Sequence, residues 1–205
     1  MLFNSLLFLV FFAGALAGSW LLVGRLKLRL GFLLLASYLF YMSWHPHFIV
    51  LILLSTLVDF FVAQRIEDTP DSSPTRRKTL LWTSLAMNLG LLGYFKYTNF
   101  FLQSVGDTAK LFELPLSFPI YEIVLPVGIS FYTFQTMSYT VDVYRGHLKA
   151  ERSLLRFALY VSFFPQLVAG PIVRATDLLP QLKLPVSLSR EQVGAALFRI
   201  ARGLV

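Results

Sequence analysis

The chain has 205 residues, of which 56% are hydrophobic and 14% are charged, and its mean hydropathy is +0.66. A soluble domain carries about 25% charged residues, so the composition indicates a membrane protein and excludes an ordinary soluble enzyme. The absence of cysteine excludes disulfides, thiolate metal ligands and cysteine nucleophiles. The net charge of +7 does not indicate a nucleic-acid partner, because the basic residues lie in short loops between apolar runs, as membrane topology signals do.

The first 24 residues carry no charge and predict one membrane-spanning helix at about 3–23. A cleaved secretory signal is the alternative, since Ala15-Leu16-Ala17 resembles a cleavage site. However, no Lys or Arg precedes the apolar stretch, as it does in a signal peptide. The basic residues at 25–29 follow as a compact loop.

The next apolar stretch, residues 30–58, holds 29 uncharged residues, too many for one crossing and few for two. Trp44-His45-Pro46-His47 lies in its middle, and proline breaks a helix. The pattern therefore predicts two short helices, at about 30–43 and 47–64, joined by a tight turn. The two histidines have no carboxylate or cysteine neighbours, so we interpret them as turn residues at the membrane interface and predict no metal site.

Asp59 lies near the end of the second of these helices. Two interpretations are open, because a charge deep in a bilayer is costly. It could line a polar cavity, or it could pair with Arg65 or reach the interface. Residues 65–78, with two prolines and two serines, predict an exposed hydrophilic loop.

Residues 79–95 predict another helix of 17 uncharged residues. On it, Asn88, Gly90 and Gly93 are typical of close packing between helices. Residues 98–121 contain two prolines and mixed charges and predict a loop.

A helix with one polar face is predicted at about 124–144, with Pro126 in its first turn. At helical spacing Tyr132, Gln135, Tyr139 and Asp142 share that face, together with a threonine. Polar groups in hydrocarbon need partners, so this face should look into protein or a wet cavity.

The following apolar run, residues 157–173, is interrupted by Pro165 and by Gly170-Pro171. It predicts a kinked helix or one that stops inside the protein and turns back, since broken backbone at membrane depth must be satisfied by protein or water. The polar face and this break together predict a cavity. Its candidate lining residues are Tyr132, Gln135, Tyr139, Asp142, Gly170 and Pro171.

Residues 174–188 predict a loop, and residues 189–205 predict an amphipathic helix with Ser189 as its cap. The predicted fold is therefore all-α and polytopic, with about five transmembrane helices, one broken or re-entrant segment and this C-terminal amphipathic helix. With the N-terminus outside, the inner segments 25–29, 65–78 and 145–156 hold eleven Lys and Arg residues and the outer connections hold two. This bias predicts a periplasmic N-terminus.

Four stretches resemble the membrane-bound O-acyltransferase family, in the branch of the alginate O-acetyltransferases: LSTLVDFF, NLGLLGYFKYTNFF, PVGISFYTFQTMSYTVDVYRG and SFFPQLVAGPIVR. The resemblance implies a multi-pass enzyme of the bacterial inner membrane that transfers an acetyl group to a hydroxyl of an envelope polysaccharide. It implies partner proteins and no bound cofactor. The acyl donor is a co-substrate that the sequence does not identify.

The resemblance also implies a catalytic histidine in apolar surroundings, which His45, His47 and His147 do not have. That histidine is expected beyond Val205. The 205 residues are then the N-terminal part of one domain, truncated or from a split gene, and inactive alone. A small transporter or flippase and a non-catalytic membrane scaffold are the alternatives.

Overall fold

The structure is a computed structural model that describes residues 5–112, 123–167, 170–184 and 189–204. Throughout these ranges the regular structure is helical, so the all-α prediction is confirmed. In chain order the helices are α1 (Leu6–Leu21), α2 (Leu26–Met42), a 3-10 turn (Pro46–Phe48), α3 (Ile49–Asp68), α4 (Pro74–Leu111), α5 (Ile129–Tyr144), α6 (Leu154–Ser162), α7 (Phe164–Leu167), α8 (Ala175–Gln181) and α9 (Arg190–Leu204).

The predicted turn at Pro46 is present, but the hydrophilic connections are shorter than expected. The predicted loop at 65–78 narrows to residues 69–73, because α3 continues to Asp68 and α4 begins at Pro74. Proline fits the first turn of a helix, where its missing N–H has no intrahelical partner. Similarly, α2 begins at Leu26 and includes two of the three basic residues of 25–29.

The predicted loop at 98–121 is wrong as far as Leu111, since α4 runs for 38 residues. Residues 96–111 contain no proline and are rich in residues that tolerate a helix, so mixed charge does not end it. A helix of this length is about 57 Å long, well beyond the hydrocarbon core of about 30 Å. Residues 113–122 lie outside the described residues.

Two further boundaries differ from the prediction. Helix α5 begins at Ile129 rather than near 124, because Gly128 adopts a left-handed conformation with φ 76° and Pro126 precedes it. The predicted loop 174–188 contains α8, whose N-cap Arg174 is extended, while residues 185–188 lie outside the described part.

Helix α9 agrees with the predicted amphipathic helix. Ser189 and Gln192 at its start exchange hydrogen bonds of 3.2 and 2.9 Å, which form a capping box. Val205 is not described.

Helix α3 occupies the centre of the molecule and packs against α4, α5 and α6. Ser55 of α3 hydrogen-bonds Asn88 of α4, and Asp59, one turn later on α3, hydrogen-bonds Ser84, one turn earlier on α4. Thr140 of α5 pairs with Asp59. Because Thr136 lies beside Ser55, one turn earlier on both helices, α3 and α5 run in the same direction and α4 runs opposite.

The three basic segments gather at one end of this bundle. Arg152 forms ion pairs of 2.8 and 2.7 Å with Glu67 and Asp68, which joins the connector 145–156 to the end of α3. Arg77 of α4 donates to the carbonyl oxygen of Tyr144 at 3.0 Å. The start of α2 faces α8 across a small cavity at the same end.

One described helix is long and apolar enough to cross a bilayer, the 23-residue stretch Pro46–Asp68, in which an 18-residue window has a mean hydropathy of 2.1. Large apolar side chains nevertheless remain exposed on α1 to α4, for example Leu7, Leu35, Phe61, Trp82 and Phe100. Such a surface is not expected on a monomer in water.

Candidate functional site

The interior between α3, α4 and α5 contains a group of polar side chains that we name the carboxylate cluster. Each helix contributes a pair at i, i+4 spacing, which places both members on one face. Its members are Ser55, Asp59, Ser84, Asn88, Thr136 and Thr140, and all are buried.

Asn88 connects most of the carboxylate cluster. Its Nδ2 donates to Asp59 Oδ2 at 2.8 Å and to the Ser84 carbonyl oxygen at 3.1 Å. Its Oδ1 accepts from Ser55 Oγ at 2.6 Å. Ser84 Oγ also donates to the Asp59 carboxylate, and Thr140 Oγ1 lies 3.5 Å from it. The arrangement ties three helices together through side-chain hydrogen bonds.

Asp59 is therefore neither paired with Arg65 nor at an interface. It is 0% exposed, and among the described residues no Lys, Arg or His lies within ion-pair distance of it. Three hydrogen-bond donors take the place of a counter-ion, as a buried carboxyl group requires. Sequence reasoning missed this cluster, although the repeated i, i+4 polar pairs in apolar helices were a visible signal.

The side of α5 next to the carboxylate cluster faces the interruption between α6 and α7. We name Ser37, Gln135, Tyr160 and Gln166 the helix-break cluster. In a continuous helix the N–H of Phe164 would donate to the Tyr160 carbonyl oxygen. Here it donates to Ser37 Oγ at 3.2 Å instead. Pro165 follows and has no N–H to donate.

Side-chain amides replace the lost backbone donor at this break. Gln135 Nε2 and Gln166 Nε2 each donate to the Tyr160 carbonyl oxygen at 2.9 Å. The carbonyl has two lone pairs and so can accept both. This is how a helix can stop inside an apolar interior without leaving a buried backbone group unsatisfied.

The chain turns back after the break. Helix α6 has 9 residues and rises about 14 Å, roughly half of a hydrocarbon core. Beyond α7 and α8, Lys183 lies 3.2 Å from Glu151, the residue that precedes α6 by three positions. The segment therefore enters and leaves at the same end of the molecule, as one of the two predicted forms of residues 157–173 requires.

The six residues predicted to line a cavity do not form one group. Gln135 and Tyr139 are buried against α6, and Gly170 is adjacent through its N–H, which donates to the Gln166 carbonyl oxygen at 3.2 Å. Asp142 is half-buried near His147, at 3.9 Å, and Pro171 is exposed.

Tyr132 lies about 15 Å from Asp142 along α5, since ten residues separate them. Its hydroxyl is buried and faces that of Tyr41. Which of the six residues line a substrate cavity stays a prediction.

Glu151 organises the connector before α6. The residue is 3% exposed, and its carboxylate accepts from Arg156 at 2.7 Å and from the Ser153 N–H at 2.9 Å. Its N–H donates to the Tyr139 hydroxyl at 2.9 Å. Burial raises the pKa of Glu151. Arg156, the Ser153 N–H and Lys183 together lower it by more than burial raises it, so the pKa of Glu151 lies below the usual value for glutamate.

None of the three histidines lies in the polar interior. His45 and His47 are exposed at the turn before α3, and the His147 side chain is 64% exposed in the connector. Within the described ranges, no three His, Cys, Asp or Glu side chains gather to hold a metal ion. The arrangement can position helices and satisfy a broken backbone, but its described residues place no histidine base in the interior.

Comparison with known proteins finds relatives along most of the chain. It is 38% identical over 181 residues to the probable alginate O-acetylase AlgI of Pseudomonas aeruginosa, covering 88% of this chain and 34% of that protein. It is 38% identical over 182 residues to the protein of the same name from Pseudomonas putida, with 88% and 37% covered. It is 32% identical over 213 residues to the peptidoglycan O-acetyltransferase of Helicobacter pylori, with 89% and 39% covered.

No family model matches the chain, and no solved structure matches it. The chain spans about a third of the length of the curated relatives it matches. These relatives are O-acetyltransferases by name, and the matches cover nearly nine-tenths of the sequence. The chain belongs to the membrane-bound O-acyltransferase family, in the branch of the alginate O-acetylases.

Proposed function

We propose that this chain is part of an enzyme that transfers an acetyl group to a hydroxyl of a cell-envelope polysaccharide. The observation that carries the proposal is the identity of 32% to 38% along nearly the whole chain to proteins named for alginate and peptidoglycan O-acetylation. Both named acceptors are polysaccharides of the cell envelope. The particular acceptor of this protein, the acetyl donor and the partner proteins are parts of the proposal that its experiment must decide.

Acetyl transfer to a sugar hydroxyl needs a base within hydrogen-bond reach of that hydroxyl. We assign no such role to His45, His47 or His147, because all three are exposed and lie away from both polar clusters. The base is instead a histidine outside these 205 residues, as the family resemblance implies. The part proposed for this chain is to hold the backbone and polar face against which that histidine is placed, and the chain alone is inactive.

We also propose that the protein crosses the bacterial inner membrane several times, with its N-terminus in the periplasm. The alternating directions of α3, α4 and α5 support this placement. So does the gathering of the eleven Lys and Arg residues of three segments at one end, since basic loops favour the cytoplasm. The exposed apolar side chains then face lipid, and the segment from α6 to α8 is re-entrant.

Cysteine labelling tests the membrane placement, because the chain contains no cysteine. A Ser72→Cys variant should resist a membrane-impermeant reagent in intact cells and react after lysis. Labelling in intact cells would reverse the orientation.

A chimera tests the function. The aligned residues of the Pseudomonas aeruginosa alginate O-acetylase are replaced by this chain in cells that lack their own enzyme, and O-acetyl groups are measured on alginate and on peptidoglycan. We expect acetylation of one of the two polysaccharides, and none when the 205-residue chain is expressed alone. A chimera that inserts stably and acetylates neither would refute the proposal. Acetylation by the short chain, lost in a His147→Ala variant, would refute the assignment of the base.

A further inference from the structure

We propose that a cavity at the basic end of the protein binds a glycerophospholipid, with the lipid phosphate at Arg29 and an acyl chain along the apolar wall. The cavity lies between α2, α8 and the break at Phe163, and its volume is about 180 Å³. The proposal rests on the membrane placement proposed above and is independent of the acetyl-transfer reaction.

The cavity has apolar walls and two polar residues. Leu30, Leu33 and Phe163 form its apolar wall on one side, and Leu178 of α8 and Leu182, directly after α8, form the other. Its polar groups are Arg29 and Gln181. The Gln181 amide is already engaged, since its Nε2 donates to the Asp177 carbonyl oxygen at 2.9 Å. Arg29 is therefore the charged group available to a ligand in this cavity.

Arg29 differs from Arg77 and Arg156, the other half-buried arginines that the structure describes at this end. Arg77, Arg152 and Arg156 each form an ion pair with a carboxylate, as does Lys183. Arg29 has no carboxylate within ion-pair distance in the described part of the chain, although it is half-buried. Asp177 is the acidic residue on α8. Its carboxylate accepts a hydrogen bond from the Thr176 hydroxyl and forms no ion pair with Arg29.

The guanidinium of Arg29 is held in place without being neutralised. Its Nε donates to the buried Ser19 Oγ of α1 at 2.8 Å, which fixes the plane of the group. Its two terminal nitrogens have no partner among the described residues. A planar fork of N–H donors fits two phosphate oxygens, and such pairs are stronger than neutral hydrogen bonds.

The position of the cavity favours a lipid over a soluble phosphate. In the proposed orientation Arg29 lies at the headgroup level of the cytoplasmic leaflet, where anionic lipids collect at basic pockets between helices. The leucines and Phe163 lie beside the charge and would stay uncovered if inorganic phosphate alone were bound. One lipid covers both parts.

The test uses the protein purified in detergent, with bound lipid counted by native mass spectrometry at a range of phosphatidylglycerol concentrations. Arg29→Gln should weaken retention about tenfold, the loss expected for a hydrogen bond between charged groups. The matched control is Arg25→Gln, an exposed cation four residues earlier that lines no part of this cavity. It should change retention less than about twofold.

A second variant separates lipid binding from loss of the Arg29–Ser19 bond. Leu26 lines the cavity, so Leu26→Trp should fill part of it and leave that bond intact, and it should also reduce phosphatidylglycerol retention. Thermal unfolding of each variant shows whether it is folded, and the Ser72→Cys labelling reports the membrane placement separately.

Two results would overturn the proposal. One is equal retention by folded Arg29→Gln and Leu26→Trp proteins and the unaltered protein. The other is competition by inorganic phosphate at the same concentration as the lipid, which would identify a site for a soluble anion. If phosphatidylcholine is retained as well as phosphatidylglycerol, the contact between Arg29 and the lipid phosphate still stands, but the site does not select an anionic headgroup.

Discussion

The carboxylate cluster and the helix-break cluster lie on two sides of α5, and they use polar side chains for different purposes. Around Asp59, side chains satisfy other side chains, and the result fixes the register of three continuous helices. Around Tyr160, side chains satisfy a backbone carbonyl, and the result allows a helix to end. The first cluster stabilises the fold, whereas the second maintains an interruption of the helix, and we predict that a substrate group lies beside this interruption.

The largest expected effect is that of Asn88→Leu. The change removes the donor to Asp59 Oδ2 and leaves Ser55 without its acceptor, so a buried carboxyl oxygen loses its partner. We expect a loss of about 3 kcal/mol in the free energy of unfolding, measured by denaturant titration in detergent. Gln103→Leu, at an exposed position of the same helix, is the control and should change stability by less than about 0.5 kcal/mol. Equal effects would remove the distinction drawn for the carboxylate cluster.

Gly128→Ala should come next, with a loss of about 2 kcal/mol. Gly128 has φ +76°, and a Cβ there would lie 2.7 Å from the Leu167 carbonyl oxygen, at the end of the short helix beyond the break. The matched control is Gly93→Ala on α4, where no atom lies within 4 Å of the added Cβ. That control should be neutral or stabilising, and a comparable loss from both variants would contradict the close approach of α5 to α7.

The glutamines at the break should show a smaller and non-additive effect. Gln135→Leu or Gln166→Leu alone should lower stability by about 1 kcal/mol, because the other amide still serves the Tyr160 carbonyl. The double variant should lose more than the sum, since the carbonyl is then a buried orphan. A double-mutant cycle measures this coupling, and strict additivity would show that the two amides do not share one acceptor.

The smallest effect is the pH dependence of the Glu151 connector. Since partners hold the folded-state pKa of Glu151 below its unfolded value, about 4.3, its contribution is fully present above that value. The contribution is lost as the pH falls through the folded-state pKa. The free energies of unfolding of the unaltered protein and of Glu151→Gln, plotted against pH, should therefore converge in acid. Curves that stay parallel down to about pH 3 would contradict the lowered pKa.

Sequence reasoning located the helix break because Pro165 and Gly170-Pro171 act locally on the backbone. It also identified the polar face of α5, which needs only the spacing within one helix. It did not find the partners of Asp59, since Ser84 and Asn88 come from another helix and the pairing depends on how the helices pack. It ended α4 too early because mixed charge after Lys96 is compatible with either a loop or an exposed helix.

The most direct test of the contrast between the two clusters is the O-acetyl content of polysaccharide per amount of folded chimera. Gln135→Leu should lower this specific activity more than Asn88→Leu, because Gln135 maintains the break whereas Asn88 maintains the fold. Asn88→Leu should instead lower the amount of folded protein and leave the activity of each remaining molecule nearly unchanged. Equal specific activities for the two variants, with equal losses of folded protein, would contradict the account.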